Sequence, residues 1–228
     1  MSVETHRVLM GSCGWKHQAW LNDFYSDDLP QDWQLGFYSN EFPVVYVPAS
    51  DWLDDEDLSE WTEDVTDSFR FILEVPANII EDKQRFAAAL DKVKELGGFC
   101  LGLVLQLTPS ICSDSDLFQQ CIDKAIAIAP ICIDRQGNIL NDKLQKVLVD
   151  KNISEVWDGN STEAENCKRG SLAISHISSD ELDMVALRKV VEHCLTTSSD
   201  DCISVLCIDG NPPSLELLRN ADIILNLL

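Results

Sequence analysis

The sequence predicts an α/β protein, and within that class a single-domain (β/α)8 barrel of the TIM type over residues 1–228, with some helices short or irregular. Three observations carry this. Eight apolar or β-branched segments alternate with eight helical patterns, joined by short connections. The segment 100–107 is continuously apolar apart from Gly102 and Gln106, which suits a parallel strand covered on both faces. A doubly wound open sheet, the usual competitor, calls for a Gly-x-Gly-x-x-Gly turn. Here Gly11-Ser12-Cys13-Gly14 has another spacing and runs into aromatics rather than a helix start.

Taken in order, the strand at 7–13 rises through Val8, Leu9 and Met10 into that turn, and Trp15, His17, Trp20, Phe24 and Tyr25 follow. Glycines that stop a strand and let polar and aromatic side chains spread above it are how an α/β fold builds a binding mouth. Pro30 opens a helix at 31–40 that places Trp33, Phe37 and Tyr38 near one face. Residues 43–47 form a short β-branched strand stopped by Pro48. A second helix takes Asp54 or Asp55 as its cap and turns Leu58, Trp61 and Val65 inward. The third strand, 69–75, ends at Pro76.

Asp82 starts the clearest helix, with Phe86, Leu90, Val93 and Leu96 as its stripe and Gly97-Gly98 as its end. After the strand at 100–107, Ser113-Asp114 opens a helix carrying Leu117, Cys121 and Ala125. Strands follow at 131–133, 153–157, 171–176 and 202–208. Helices fall at 141–149, weakly at 161–168, and at 213–228. Ser178 and Glu181 have capping-box spacing ahead of a helix with Met184, Leu187, Val191 and Cys194.

Composition narrows the function classes. The net charge of −22 repels phosphate backbones and anionic lipid, so neither nucleic-acid binding nor membrane adhesion is expected. No apolar run approaches the ~18 residues of a bilayer span, and residues 1–7 lack the apolar stretch of a signal peptide. A cytoplasmic protein is expected. The nine cysteines are odd in number, include no Cys-x-x-Cys, and mostly sit in apolar runs such as Phe99-Cys100-Leu101, the pattern of buried thiols in a reducing compartment. Residues 51–67 hold nine carboxylates and no Lys or Arg. They lack the Asp-x-Asp-x-Asp-Gly spacing of a calcium loop and read as a solvated helix face.

The opening stretch resembles the YecE-like proteins (domain of unknown function family 72). The matching residues are Gly11, Gly14, Trp15, Trp20, Phe24-Tyr25, Leu29-Pro30, Tyr38 and Phe42, joined by the apolar strand that ends Gln106-Leu107-Thr108-Pro109. The motif-level likeness covers residues 7 to about 110 and implies a TIM-type barrel. Several positions depart from the family pattern. Val45-Tyr46-Val47-Pro48 stands for its Val-Glu-Ile-Asn, Glu74 for a Lys, and Ile133-Asp134-Arg135 for its Glu-x-Arg. Ile174-Ser175-His176-Ile177 keeps only the His of Arg-Leu-His-Gly, and the Phe-Asn-Asn ending is blurred into residues 207–211. Polar mouth groups are lost while the scaffold is kept.

In such a barrel the working groups stand at the C-terminal ends of the strands. These ends carry Trp15, His17, Glu74, Gln106, Arg135, Asp158, His176 and Asp209. Glu74 and His176 are the candidate acid/base pair. Trp15, His17, Gln106, Arg135 and Asp209 are the candidate ligand-binding residues, with Arg135 suited to a carboxylate or phosphate and Trp15, with Trp20, to a sugar or ring. The competing reading of Glu74 and Arg135 is a buried ion pair, and Trp20, Trp33, Trp52 and Trp61 also fit packing roles. His176 with Glu74 or Asp209 is chemically able to ligate a metal, but no local motif assigns one. No cofactor is specified, and the lack of a Gly-x-Ser-x-Gly elbow argues against a Ser-His-Asp hydrolase.

Two function classes follow. One is a protein that binds or transforms a small polar or anionic metabolite at the mouth. The other is a non-catalytic relative acting as an interaction protein through its acidic surface. The outer helices are also available for pairing with a second copy.

Overall fold

The structure, a computed structural model, describes residues 8–54, 57–159 and 170–228. The segment 1–7, Asp55 as a cap, the helix expected at 161–168 and Cys167 lie outside the described residues. Among the described residues eight strands form where apolar and β-branched runs predict them: β1 (Val8–Ser12), β2 (Val44–Val47), β3 (Arg70–Val75), β4 (Cys100–Gln106), β5 (Ile131–Asp134), β6 (Ser154–Glu155), β7 (Leu172–Ser178) and β8 (Ile203–Asp209). Every strand pair is parallel. The strands lie in two sheets, one of order β2-β3-β4-β5-β6 and one of order β1-β8-β7.

Among the described residues, isolated backbone bridges join the two sheets at two places. Between β1 and β2 a lone bridge joins Cys13 to Tyr46, and Gly14 N–H donates to the Tyr46 carbonyl at 2.7 Å. Between β6 and β7, Trp157 bridges Ser175; its N–H donates to Ile174 O at 2.9 Å, and its carbonyl accepts from His176 N–H at 2.8 Å.

Helices fill the connections: α1 (Gln34–Glu41), α2 (Ala49–Trp52), α3 (Ser59–Asp64), α4 (Ala77–Ile80), α5 (Lys83–Val93), α6 (Pro109–Ser113), α7 (Ser115–Ile126), α8 (Asp142–Asp150), α9 (Met184–Thr197) and α10 (Leu215–Leu227). Asp82, Asp114, Asn141 and Ser214 cap α5, α7, α8 and α10 by accepting from backbone N–H groups of the first turn. Three local expectations are corrected. The acidic run does not make one helix, because α2 and α3 are separated and α3 has no side-chain cap. The cap of α9 is Asp183, bonded to Ala186 N–H at 2.7 Å, while Ser178 caps only a 3-10 turn over Ser179–Glu181. Of Trp33, Phe37 and Tyr38, Tyr38 is buried as part of the inner face of α1, together with Gln34, Leu35 and Ser39, while Trp33 and Phe37 are exposed.

Two apolar clusters result. The larger packs the helices against the strands, and includes the α5 stripe Phe86, Leu90 and Val93. The smaller is drawn from both sheets: Val44, Tyr46, Ile72, Val104 and Cys132 from one, Leu172, Ile174, Val205 and Cys207 from the other. Successive strand residues point to opposite faces, so this second cluster marks one shared face of the strands.

Candidate functional site

That alternation sets the composition of the strand ends. Two residues beyond Ile72, Val104, Cys132, Ile174 and Cys207 stand Glu74, Gln106, Asp134, His176 and Asp209. Cys13, just past the end of β1, keeps the same phase, four residues after Leu9. The apolar face shared by the strands therefore ends in a polar layer.

His176 sits at the centre of its contacts. Its Nε2 lies 3.4 Å from Asp209 Oδ2, and its ring is 4.7 Å from that of Tyr46. The Tyr46 hydroxyl donates to Glu74 Oε2 at 3.2 Å, so tyrosine links the two candidate acid/base groups. Asp209 also accepts from Gly210 N–H at 2.7 Å. Cys13, His176 and Asp209 each present a ligand atom within 4.8 Å of the others.

Electrostatics divides these groups. Burial pushes the Glu74 carboxyl above its ordinary range, outweighing hydrogen bonds from Tyr46 and the Ala49 backbone. The nearby His176 imidazole leads the effects that hold Asp209 below its ordinary range, against the opposing pull of burial. Burial, reinforced by Asp209, Cys207 and Glu74, pushes the Cys13 thiol strongly upward and so disfavours a free thiolate.

Beside His176 opens a cavity of about 370 Å³, lined by residues 134–139 together with Val156 and Asp158. Arg135 is at this wall, but its Nε is 2.7 Å from Glu155 Oε2. The buried ion pair anticipated for Arg135 thus forms with Glu155 on β6, not with Glu74, which bonds Tyr46. Gln106 ends β4 in register with Asp134.

A family model described as "Protein of unknown function DUF72" matches residues 9–173. The chain belongs to the DUF72 family. Among solved structures it resembles a DUF72 family protein from Thermotoga maritima with a TM-score of 0.63 and 11% identity, covering 97% of this chain and 99% of that one. At that identity the likeness is one of fold. No curated protein matches the sequence.

The aromatic turn of this DUF72 chain is mostly structural in its contacts. Trp15 is 1% exposed, its ring set edge-on against Trp61 at 5.0 Å, and the groove it borders is shared with Gln31, Asp32 and Glu60 rather than with His176. His17 Nε2 donates to the Cys13 carbonyl at 2.8 Å and its ring meets Trp20 at 4.4 Å. Trp20 is buried and donates from Nε1 to Pro213 O at 3.2 Å. The structure thus gathers Glu74, His176 and Asp209 around Tyr46 and Cys13, puts Arg135 and Asp158 at the cavity beside them, and leaves Trp15 and Trp20 in the core. Cys13, Tyr46 and Glu155 went unassigned in the sequence. Counting by twos from Leu9 would have exposed Cys13, whereas Glu155 carries no such signal.

Proposed function

We propose that this DUF72 protein binds a small polar molecule at the C-terminal ends of its strands, and that its two sheets are halves of one closed (β/α)8 barrel. Closure is supported by the bridged seams on both sides and by the interior cluster drawn from both sheets. Gly102 of β4 adds to this: a Cβ there would come within 2.3 Å of the Leu172 side chain on β7, so residues of separate sheets meet face to face. The ends of such strands are where barrel proteins place their working groups.

The observation that carries the binding reading is the cavity walled by Asp134, Asp158 and His176, continuous with the polar layer. Its carboxylates and the commitment of Arg135 to Glu155 favour a neutral or cationic ligand over an anion. A single domain over 1–228 fits the near-complete overlap with the Thermotoga relative. A cytoplasmic home fits the eight described cysteines, all free thiols. Among the described residues no helix is long and apolar enough to cross a membrane.

A thermal-shift panel of sugars, amines, phosphates and carboxylates tests this. A neutral or cationic compound is expected to raise Tm, and the double variant Asp134→Asn, Asp158→Asn is expected to weaken its binding by about tenfold or more, as loss of charged hydrogen bonds does. A panel without a single shift would overturn the reading and favour an interaction role for the acidic surface.

A further inference from the structure

We infer that Cys13, His176 and Asp209 form a binding site for one zinc-class divalent cation at the open end of the β1-β8-β7 sheet. His176 and Asp209 come from the adjacent strands β7 and β8, and Cys13 directly follows β1 with its N–H bonded to Ile208 O of β8, so the site does not rest on the polar ligand proposed above. Their ligand atoms lie within 4.8 Å of one another. A tetrahedral zinc centre with bonds of ~2.0–2.1 Å to nitrogen and oxygen sets those two ligands roughly 3.3–3.4 Å apart. His176 Nε2 and Asp209 Oδ2 are separated by 3.4 Å.

A sulfur–nitrogen separation of about 3.5 Å follows from Zn–S of ~2.3 Å, so Cys13 has at most roughly 1.3 Å to close. His176 Nε2 is buried with no hydrogen-bond partner. Its distance from Asp209 exceeds the ~2.7–3.2 Å of an ordinary N–H···O bond. A cation between the two would satisfy both.

The same three residue types also make up a cysteine–histidine–aspartate relay, and the geometry separates the two readings. In a relay the histidine stands between nucleophile and carboxylate, each meeting a different ring nitrogen. Here the carboxylate faces the Nε2 edge of His176, and Cys13 belongs to the same compact triangle. The donor set of one sulfur, one nitrogen and one oxygen suits a borderline metal, and three protein ligands leave a fourth position open. Glu74 and Asp51 add negative potential around Cys13. Because His176 also lines the cavity, the cation would stand at the cavity wall.

Full-length protein, reduced and stripped with a chelator, is titrated with Co2+ as a spectroscopic probe. One equivalent is expected to bind with a thiolate-to-cobalt charge-transfer band, displaced by Zn2+. Cys13→Ser is expected to remove the band. His176→Gln and Asp209→Asn should each weaken Co2+ binding by about tenfold or more, the loss seen even for outer-shell changes at metal sites. Circular dichroism checks that each variant is folded; if Cys13→Ser is not, the two other titrations decide. The site is disproved by a folded wild-type protein with no charge-transfer band, by a band that survives Cys13→Ser, or by affinity indifferent to His176 and Asp209. None of these results bears on the polar-ligand panel.

Discussion

Glu74 is a carboxylate delivered by strand alternation onto the face that carries Ile72, and its environment only partly compensates. The Tyr46 hydroxyl, the Ala49 N–H and His176 favour the charged form, while burial and Asp134 oppose it, and burial dominates. The folded carboxyl therefore holds its proton to higher pH than the unfolded one, whose value is ~4.3. Its stabilising contribution is complete below the unfolded pKa and is lost as pH rises through the folded value. Glu74→Gln, which keeps an acceptor for Tyr46, is expected to raise Tm at pH 7, with the gain shrinking as the pH falls toward 4. Equal melting of the two proteins at pH 7 would show that burial is not the dominant influence. Asp209 runs the other way. Its folded pKa is depressed, so its contribution is present above the unfolded pKa and is lost as pH falls through the folded value.

At the scale of elements, α1 holds β1 to β2 through one hydroxyl. Tyr38 Oη accepts from Ser12 N–H at 2.8 Å, lies 2.8 Å from Ser12 Oγ, and donates to the Val44 carbonyl at 3.2 Å. It stands where the two strands lack a ladder of their own. Tyr38→Phe keeps the ring packing but strands a buried N–H and C=O, at a cost of about 1–3 kcal/mol. Urea unfolding should show the lower midpoint with an unchanged m value; an unchanged midpoint would mean that the clamp is energetically idle. This clamp also shows what the sequence could convey. Strands were legible because β-branched runs bounded by Pro and Gly are local signals, and alternation placed Glu74, His176 and Asp209 at strand ends. Trp33 turns outward because the chain enters α1 through a 3-10 turn over Gln31–Trp33. Three residues per turn there put Trp33 out of phase with the buried Tyr38 of the helix that follows. The pairing of Arg135 with Glu155 and the role of Tyr38 are contacts between distant segments, and no periodicity encodes them.

At the scale of the molecule, the question is whether two sheets unfold as one body. Gly11 provides the lever, because a Cβ there would sit 1.8 Å from the Val44 carbonyl oxygen across the β1–β2 seam. Backbone on both sides cannot step aside as a flexible side chain would, so Gly11→Ala must spread the seam. Overpacking of this kind costs about 1–3 kcal/mol, occasionally more. In a closed barrel each sheet completes the interior of the other, through contacts such as Ile72, Val104 and Cys132 with Leu172, Ile174 and Val205. Opening one seam then weakens every strand. Native-state hydrogen exchange on Gly11→Ala should accordingly show protection falling together in β1, β4 and β7, by a similar free energy, as expected of one cooperative unit. If the sheets are independent units, the loss will stop at β1, β8, β7 and the neighbouring edge of β2, and the amides of β4 and β5 will exchange as in the wild type. That outcome would remove the closed barrel but not the approach of Cys13 to His176 and Asp209, because Cys13 N–H is bonded to Ile208 O of β8, the neighbour of both.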